Sequence, residues 1–344
     1  MSDLSINRRR FGLLLGQWAV WPAVLNAGPS ASARVRVAVG GRGALCYLPL
    51  IVAQTLGFFR QEGLDVWLQD YRGGALALQA VSQGQADVCC GAFEHVFAPQ
   101  PQGDSLQSLA LLGRTPQLAL AVAAGHRPLE SAADFKGLRV GVVAPDSSSQ
   151  FFASLWLGQS GVALEDVSFV GVGMGSSALA ALRGGRVQAL CHPEPVMTLL
   201  ERRGEVRLLA DARTLAGSRE IFGGSMPGAC LYAPRTFVQR QPQQAQALVN
   251  ALVRSLKWLQ TASPADLVRV APPPFLLGDR GAYLAALDKV RESFSPDGLM
   301  PGDGPATALR AAARVQPELA SAGVDLPKTF SNGWVDKAKI KFQM

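Results

Sequence analysis

Hydrophobic positions along the chain form short apolar runs, each separated from the next by a stretch with helical spacing. Val35–Val39 and Leu138–Ala144 are β-rich runs, and each is followed by a loop and by apolar residues three to four positions apart. Asp65–Tyr71 and Asp87–Cys90 continue the pattern in the first half of the chain. Strands separated by helices of this length predict right-handed crossovers and mostly parallel sheets. We therefore expect an α/β protein.

The same unit occurs twice in the sequence. Residues 35–97 and 138–200 align at an offset of about 101 residues, and each copy has the order strand, helix, strand, Gly-rich loop, helix, strand. The residues that correspond include Asp65 and Asp166, Gly74 and Gly175, Gly84 and Gly185, and Cys90 and Cys191. Shorter periods are typical of solenoids, so a period of this length predicts two similar lobes. Small ligands prefer the cleft between two such lobes.

Two more apolar runs divide the chain between these lobes. Leu118–Ala124 and Ala229–Tyr232 bracket the second copy, which predicts a hinge of two strands. Pro242–Gln260 has a core-facing stripe of leucines, and helices around 280–294 and 305–321 follow it. We expect all of these C-terminal helices to pack on lobe 1. The predicted boundaries are 34–120 and 231–344 for lobe 1, and 121–230 for lobe 2.

The first 33 residues have the features of an export signal. Arg8-Arg9-Arg10-Phe11 is a twin-arginine pattern, the apolar stretch Phe11–Ala27 follows, and Ala31-Ser32-Ala33 is a small-x-small cleavage site. We expect cleavage near Ala33 and export of the remaining chain. The alternative is an uncleaved membrane anchor, which Pro22 disfavours because it would kink the apolar segment.

Composition excludes several classes of protein. Hydrophobic residues make up 48% and charged residues 17% of the 344 residues, which is typical of a globular protein. The signal contains three arginines and one aspartate, so its removal lowers the net charge from +7 to about +5. The remaining arginines are scattered, and no nucleic-acid partner is expected. The five cysteines include no C-x-x-C pair, and we interpret them mostly as small buried residues; a disulfide between two of them is the alternative.

Candidate ligand contacts lie beyond the carboxyl ends of the predicted strands, where ligands bind to open parallel sheets. These loops are Gly40–Tyr47, Arg72–Gly74 and Gly91–Glu94 in lobe 1, and Asp146–Ser149, Gly173–Gly175 and Pro193–Glu194 in lobe 2. The candidate ligand-binding residues within them are Arg42, Tyr47, Gly74, Gly91, Ala92, Phe93, Glu94, Ser147, Ser148, Ser149, Gly173 and Glu194.

The chemistry of these residues leaves alternatives open. The serines can bind an anion at a helix start, or they can cap the helix without a ligand. Glu94 and Glu194 can accept hydrogen bonds from an amine or hydroxyl, and Arg42 and Arg72 can meet a sulfonate or carboxylate. All four charged residues can instead be solvated or form ion pairs between the lobes. Tyr47 and Phe93 can line the site or belong to the core.

An enzyme is the competing class. Gly173–Ala178 matches the dinucleotide pattern G-x-G-x-x-A, but it follows the second strand of its unit, whereas the fingerprint normally follows the first. The histidines His95, His126 and His192 lack metal-ligand spacing, and no G-x-S-x-G elbow is present. We therefore expect no catalytic residue, no metal and no cofactor.

Several stretches resemble a known family. The matching segments are Tyr47–Gln54, Gly57–Val66, Gly84–Val88, Phe135–Gly141 and Ala181–Val187. In these the chain is similar to the nitrate/sulfonate/taurine type of periplasmic substrate-binding proteins of ABC importers. That group shares its fold with the pyrimidine-precursor synthases of thiamine biosynthesis. The resemblance covers residues 35–260.

The resemblance implies a type II periplasmic-binding-protein fold with two lobes and a two-strand hinge. It implies a monomeric, periplasmic protein that captures a small polar or anionic solute and delivers it to the transmembrane subunits of an ABC permease, without catalysis. The pocket residues it implies are Tyr47, Gly74, Gly91, Ala92, Phe93, Ser147, Ser148, Ser149 and Glu194. Pro193 stands where many relatives have Trp, so the ligand stays open. The alternative is a pyrimidine-precursor binding protein or a synthase-like enzyme, although the lysine that a synthase needs is absent before Lys136.

Overall fold

A computed structural model describes residues 33–99 and 104–343. The predicted export signal and its cleavage site lie outside the described residues, apart from Ala33, which begins the first strand. None of the helices in these two ranges is long and apolar enough to cross a membrane.

The strands form two five-stranded sheets, one in each lobe. The strands in the described ranges are β1 (Ala33–Val39), β2 (Leu64–Asp70), β3 (Val88–Ala92), β4 (Leu106–Leu111), β5 (Leu118–Ala123), β6 (Arg139–Val142), β7 (Ser168–Gly171), β8 (Ala189–Pro193), β9 (Val206–Asp211) and β10 (Ala229–Pro234). The strand order is β2-β1-β3-β10-β4 in the first sheet and β7-β6-β8-β5-β9 in the second. The two orders are equivalent, which confirms the two-lobed α/β fold predicted from the repeat.

Each sheet contains one strand that enters from the other half of the chain. Strand β10 follows lobe 2 in sequence but runs antiparallel between β3 and β4 of lobe 1. Strand β5 follows lobe 1 but runs antiparallel between β8 and β9 of lobe 2. The remaining central pairs, β1 with β2 and β3 and β6 with β7 and β8, are parallel. The sheets are therefore mixed, because the exchanged strands run against the parallel ones.

The two crossings between lobes pair with each other. The amides of Leu112 and Gly113 both donate to the carbonyl of Ala229, at 2.8 and 3.0 Å, and the amide of Gly228 donates to the carbonyl of Gly113 at 2.8 Å. A Cβ at Gly228 would lie 1.9 Å from the carbonyl oxygen of Thr115, so a side chain cannot fit there. The two apolar runs predicted as the hinge are internal strands of the sheets, β5 and β10, and the crossings between the lobes precede them and contact each other directly.

Helices flank both sheets. In the described ranges they are α1 (Leu48–Thr55), α2 (Phe58–Gln61), α3 (Gly74–Ser82), α4 (Ser148–Gln159), α5 (Ser176–Arg183), α6 (Val196–Arg202), α7 (Leu215–Phe222), α8 (Arg235–Arg240), α9 (Pro242–Thr261), α10 (Pro264–Val270), α11 (Pro273–Leu276), α12 (Arg280–Val290), α13 (Gly304–Val315) and α14 (Gly333–Phe342). The spacing of Leu48, Val52 and Leu56 in the sequence predicts one helix from about Tyr47 to Gln61, but the structure has two, α1 and α2. Gly57, with φ of +73°, turns the chain between them.

The C-terminal helices correct one expectation. Helix α9 packs on lobe 1, with Leu248, Leu252 and Leu256 buried as the leucine stripe predicts. Helix α12 instead lies between the lobes. Its Ala282 belongs to the apolar core of lobe 2, whereas Tyr283 on its other side packs with residues of α1 in lobe 1. Helix α13 likewise contacts α4 of lobe 2. Two apolar faces on one helix allow it to bury surface against both lobes.

Candidate ligand-binding site

A cavity lies between the lobes, at the carboxyl ends of the parallel strands. It encloses about 560 Å³ of space free of protein atoms, including its opening to solvent. Its lining comes from both lobes and from the hinge, and consists of Gly40, Ala44, Cys46, Tyr47, Gly74, Ala92, Glu94, Pro116, Leu118, Val143, Ser147, Ser148, Ser149, Met174, Pro193, Gly228 and Ala229. A largely apolar lining with a few polar groups is typical of ligand sites.

The serine run positions the start of helix α4 at the cavity. Asp146 turns the chain with φ of +56°, a conformation that Asp adopts more readily than most residues. The hydroxyl of Ser147 caps the helix by accepting from the amide of Gln150 and donating to the carbonyl of Ala144 at 2.7 Å. The hydroxyl of Ser149 accepts from the amide of Val143 at 2.9 Å. Two of the three hydroxyls are therefore used within the protein.

Ser148 differs from its neighbours. Within the described ranges, its hydroxyl and the backbone amides of Ser148 and Ser149 have no hydrogen-bond partner in the protein. The first amides of a helix have no partner inside the helix and carry the positive end of its dipole. The start of α4 therefore offers two N–H donors and one hydroxyl at the edge of the cavity, a set that suits an oxygen-rich or anionic group.

Glu94 is the acidic group of the cavity. It follows β3 at the start of a 3₁₀ turn (Phe93–Phe97) and is half-buried. No hydrogen bond or ion pair to its carboxylate is found within residues 33–99 and 104–343. Beside it, burial raises the pKa of Cys46 to about 12 and raises the pKa of Tyr47 well above its usual value. Both residues therefore stay protonated and uncharged at neutral pH.

Glu194, the second acidic candidate, does not line the cavity. Its fully buried side chain accepts from Thr198 at 2.7 Å and from the guanidinium of Arg213 at 2.7 Å. Burial raises its pKa, and the charge of Arg213 opposes that rise. The structure therefore does not bring Glu94 and Glu194 together as a facing pair of carboxylates, because the ion pair directs Glu194 into lobe 2.

The other candidates lie in three places. Tyr47, Gly74 and Ala92 line the cavity with Glu94 and the serines. Arg42 and Gly173 line a neighbouring groove that opens between the lobes, with Arg72. Gly91 and Phe93 lie in neither place, and Phe93 is fully buried in an edge-to-face contact with Phe97.

Part of the lining was not predicted from the sequence. Pro116, Leu118, Gly228 and Ala229 come from the hinge, and Val143 comes from the end of a predicted strand, whereas Cys46 and Met174 lie in loops that were predicted to contact a ligand. The hinge residues could have been found by treating the two bracketing apolar runs as part of the site. All five cysteines are buried and unpaired, which agrees with the interpretation that they are small core residues. Among the described residues no cluster of three or more His, Cys, Asp or Glu could hold a metal ion.

The lobes touch directly around the cavity. The amide of Leu45 in lobe 1 donates to the carbonyl of Glu194 in lobe 2 at 3.0 Å. A Cβ at Gly73 would lie 2.7 Å from the Cβ of Ala144, across the cleft. The loop with the dinucleotide-like pattern takes part in this contact, because a Cβ at Gly41 would lie 2.9 Å from the Cγ of Met174. The two lobes are therefore in direct contact beside the cavity, and this loop takes part in that contact.

Comparison with known proteins identifies the family. Residues 46–265 match the family model described as "NMT1/THI5 like", and the chain belongs to this family. A solved structure of a protein from Bordetella bronchiseptica RB50 is 43% identical, covers 92% of this chain and 99% of that one, and superimposes with a TM-score of 0.86.

Two other proteins mark the breadth of the likeness. The alkanesulfonate-binding protein SsuA from Xanthomonas axonopodis pv. citri, solved bound to MOPS, is 19% identical over 90% of this chain and 98% of that one, with a TM-score of 0.64. At this identity the likeness establishes the fold, which is the two-lobed fold of periplasmic binding proteins. The 4-amino-5-hydroxymethyl-2-methylpyrimidine phosphate synthase from Uromyces fabae is 29% identical over 97 residues, 28% of this chain and only 28% of that enzyme.

Proposed function

We propose that this member of the NMT1/THI5-like family is an exported, periplasmic binding protein that captures a small polar solute between its lobes and delivers it to an ABC permease. The observation that carries the proposal is the closed cavity, whose polar groups come from both lobes. Glu94 belongs to lobe 1, and Ser148 with the free amides of α4 belongs to lobe 2. A solute that touches both sets can do so only when the lobes are closed.

Capture then works as a shift between two populations. The open form exposes the cavity, and the solute stabilises the closed form by the contacts that only this form provides. The contact between Leu45 and Glu194 and the close approach of Gly73 to Ala144 belong to the closed form. A permease would recognise this form by its surface. No covalent step is required, so we propose a carrier that has no catalytic activity. We also propose that it acts as a monomer.

The solutes named for related folds set the first panel of ligands. SsuA was solved with MOPS, a sulfonate. Among sulfonates, taurine and nitrate, we expect at least one to bind here. A pyrimidine precursor is the second candidate, favoured by the 97-residue match to the Uromyces synthase. A synthase would consume or modify the pyrimidine, whereas a binding protein would release it unchanged.

A thermal-shift screen tests the proposal on residues 34–344. A ligand present at about 100 times its dissociation constant stabilises the folded state by about 2.7 kcal/mol. Ser148→Ala should then weaken binding of the hit by about 1 kcal/mol, since it removes one neutral hydrogen bond. Ser168→Ala, an exposed serine on β7 of the same lobe, is the matched control. Equal affinity in wild type and Ser148→Ala would contradict the assignment of the site, and no hit in the panel would contradict the proposed ligand class.

A further inference from the structure

We infer that the solute is a small zwitterion, with a protonated amine that faces Glu94 and an oxyanion group that faces the start of α4. This inference rests on the proposed function, since it concerns the ligand of the same cavity. It goes further because it excludes a bare anion such as nitrate or a simple alkanesulfonate as the preferred ligand.

The described side chains that line the cavity include an acid but no base. Among its described lining residues, Glu94 is the sole charged side chain, and no Lys, Arg or His contributes. Arg42 and Arg72, the two basic residues selected from the sequence, do not line the cavity. The backbone amide of Arg42 donates to Asp70 at 2.8 Å and its guanidinium is 3.8 Å from the same carboxylate, and Arg72 lines the outer grooves. A bare anion in the cavity would therefore meet a negative charge and no positive side chain.

The carboxylate of Glu94 has no hydrogen-bond partner and no ion-pair partner among the described residues. A carboxylate that a bound ligand seals off from water is costly unless a donor or a cation pairs with it. None of the residues described supplies one, and the neighbouring His95 is a buried, neutral ring with an unpartnered Nδ1. Burial lowers the pKa of His95, so it does not supply a positive charge at neutral pH. When a ligand displaces the solvent around Glu94, a protonated amine on that ligand satisfies both the charge and the hydrogen bonds of the carboxylate.

The start of α4 supplies the hydrogen-bond donors of the cavity. The free amides of Ser148 and Ser149 and the hydroxyl of Ser148 all donate, and the helix dipole adds positive potential. Tyr47 is an independent sign of a ligand here. It is 7% exposed and lines the cavity, and within the described chain its hydroxyl has no hydrogen-bond partner. A carboxylate or sulfonate group can accept from the amides of Ser148 and Ser149 and from the hydroxyl of Ser148 at the same time as an amine meets Glu94.

The apolar part of the lining limits the size of the ligand. Leu118, Val143 and Met174 are apolar and come from the hinge and from lobe 2, and Pro116 and Pro193 complete the enclosure. Such walls favour a short aliphatic spacer between the two charged groups. The class is therefore that of short amino acids and aminosulfonates.

Matched pairs of probes test the inference by calorimetry. The pairs are taurine with ethanesulfonate and β-alanine with propionate, with 4-aminopyrimidine as an uncharged probe that also has N–H donors. We expect the amino member of at least one pair to bind roughly 30-fold or more tightly than its partner, as is typical when one side of a desolvated charge pair is missing. Glu94→Gln should abolish most of this preference, while Glu165→Gln, an exposed acid on lobe 2, should keep it. Thermal unfolding verifies that both variants are folded.

The outcomes separate the inference from the function on which it rests. If ethanesulfonate and propionate each bind as tightly as their amino partners, or if Glu94→Gln keeps the preference, the zwitterion inference is wrong and the binding function stands. Tighter binding of 4-aminopyrimidine than of any pair member also overturns it, in favour of an uncharged heterocycle. If no probe binds at millimolar concentration, both the inference and the proposed ligand class are wrong.

Discussion

Arg213 holds the most deeply buried charge cluster in the described part of the chain, and its removal should be costly. Its side chain is fully buried and donates to Asp211 through Nε at 2.7 Å and through a second nitrogen at 2.6 Å. It also bonds the fully buried Glu194 at 2.7 Å and the partly exposed Glu201. Lys289 of α12 joins the cluster, at 3.2 Å from Glu201.

Arg213→Met keeps most of the volume and removes the charge. It leaves Glu194 buried with Thr198 as its remaining partner, and removing one partner of a buried pair costs about 3–5 kcal/mol. Urea denaturation followed by circular dichroism measures this loss. The matched control is Arg183→Met, which breaks a two-bond pair with Glu205 whose side chains are 40% and 25% exposed, and which should cost about 1 kcal/mol or less.

The pH dependence gives a second measurement of the same effect. Burial already raises the pKa of Glu194, and the loss of Arg213 removes the charge that opposes this rise. A carboxyl with a raised pKa in the folded state favours folding below its unfolded pKa, and this contribution is lost as the pH rises through the folded pKa. Arg213→Met should therefore be less destabilised at about pH 5 than at about pH 8. Addition of Glu194→Gln should restore part of the lost stability.

Two results would refute this reasoning. If Arg213→Met and Arg183→Met lose the same free energy of unfolding, burial does not set the strength of the Arg213 cluster. If the loss in Arg213→Met is the same at both pH values, Glu194 is not the group left unpaired.

Two further predictions concern closure and the buried histidines. Ala144→Leu should weaken ligand binding by roughly tenfold, because a larger side chain opposes the close approach of Gly73 in the closed form. The free energy of unfolding should change by about 0.5 kcal/mol or less. Calorimetry measures the affinity and urea denaturation measures the stability, and an unchanged affinity would contradict the prediction. Burial lowers the pKa of both His95 and His192 from 6.5, so their contribution to stability is present above about pH 6.5 and is lost as the pH falls through the folded pKa. Denaturation curves between about pH 7.5 and about pH 5.5 should show this fall, and His95→Gln should reduce it; a slope equal to that of the wild type would contradict it.

The repeat explains why so much of the fold could be predicted. Two copies with the same order of strands and helices are expected to form equivalent sheets, and the strand orders of the two sheets are equivalent. Local features were harder to predict. The break at Gly57 interrupts a pattern of apolar residues that continues across it, so periodicity alone indicates one helix.

The C-terminal helices show a second limit of sequence patterns. Helix α12 buries Ala282 on one face and Tyr283 on another, so its apolar residues do not form a single stripe. An amphipathic pattern indicates which face of a helix is buried, but it does not identify the lobe that covers that face. The sequence therefore predicts that these helices are buried, whereas their position between the lobes depends on tertiary packing.

The candidate site was predictable where the backbone decides it. The loops after the parallel strands must meet at the cleft, and seven of the twelve selected residues line the cavity: Tyr47, Gly74, Ala92, Glu94, Ser147, Ser148 and Ser149. Side-chain direction was not predictable in the same way. Glu94 and Glu194 follow equivalent strands, but Arg213, a residue distant in sequence, directs Glu194 away from the cavity. Glu194 therefore differs from Glu94 in having a buried arginine as its partner.

The two crossings between the lobes, which lead into β5 and β10, also line the cavity. Because β5 and β10 each belong to the sheet of the other half, the crossings before them cannot move independently of either lobe. The same crossings contribute Pro116, Leu118, Gly228 and Ala229 to the lining. In the proposed carrier, a rotation about the hinge would change the lining of the cavity at the same time as it brings Glu94 and the start of α4 together. The hinge would then contact the solute, and substitutions there should alter affinity and closure together.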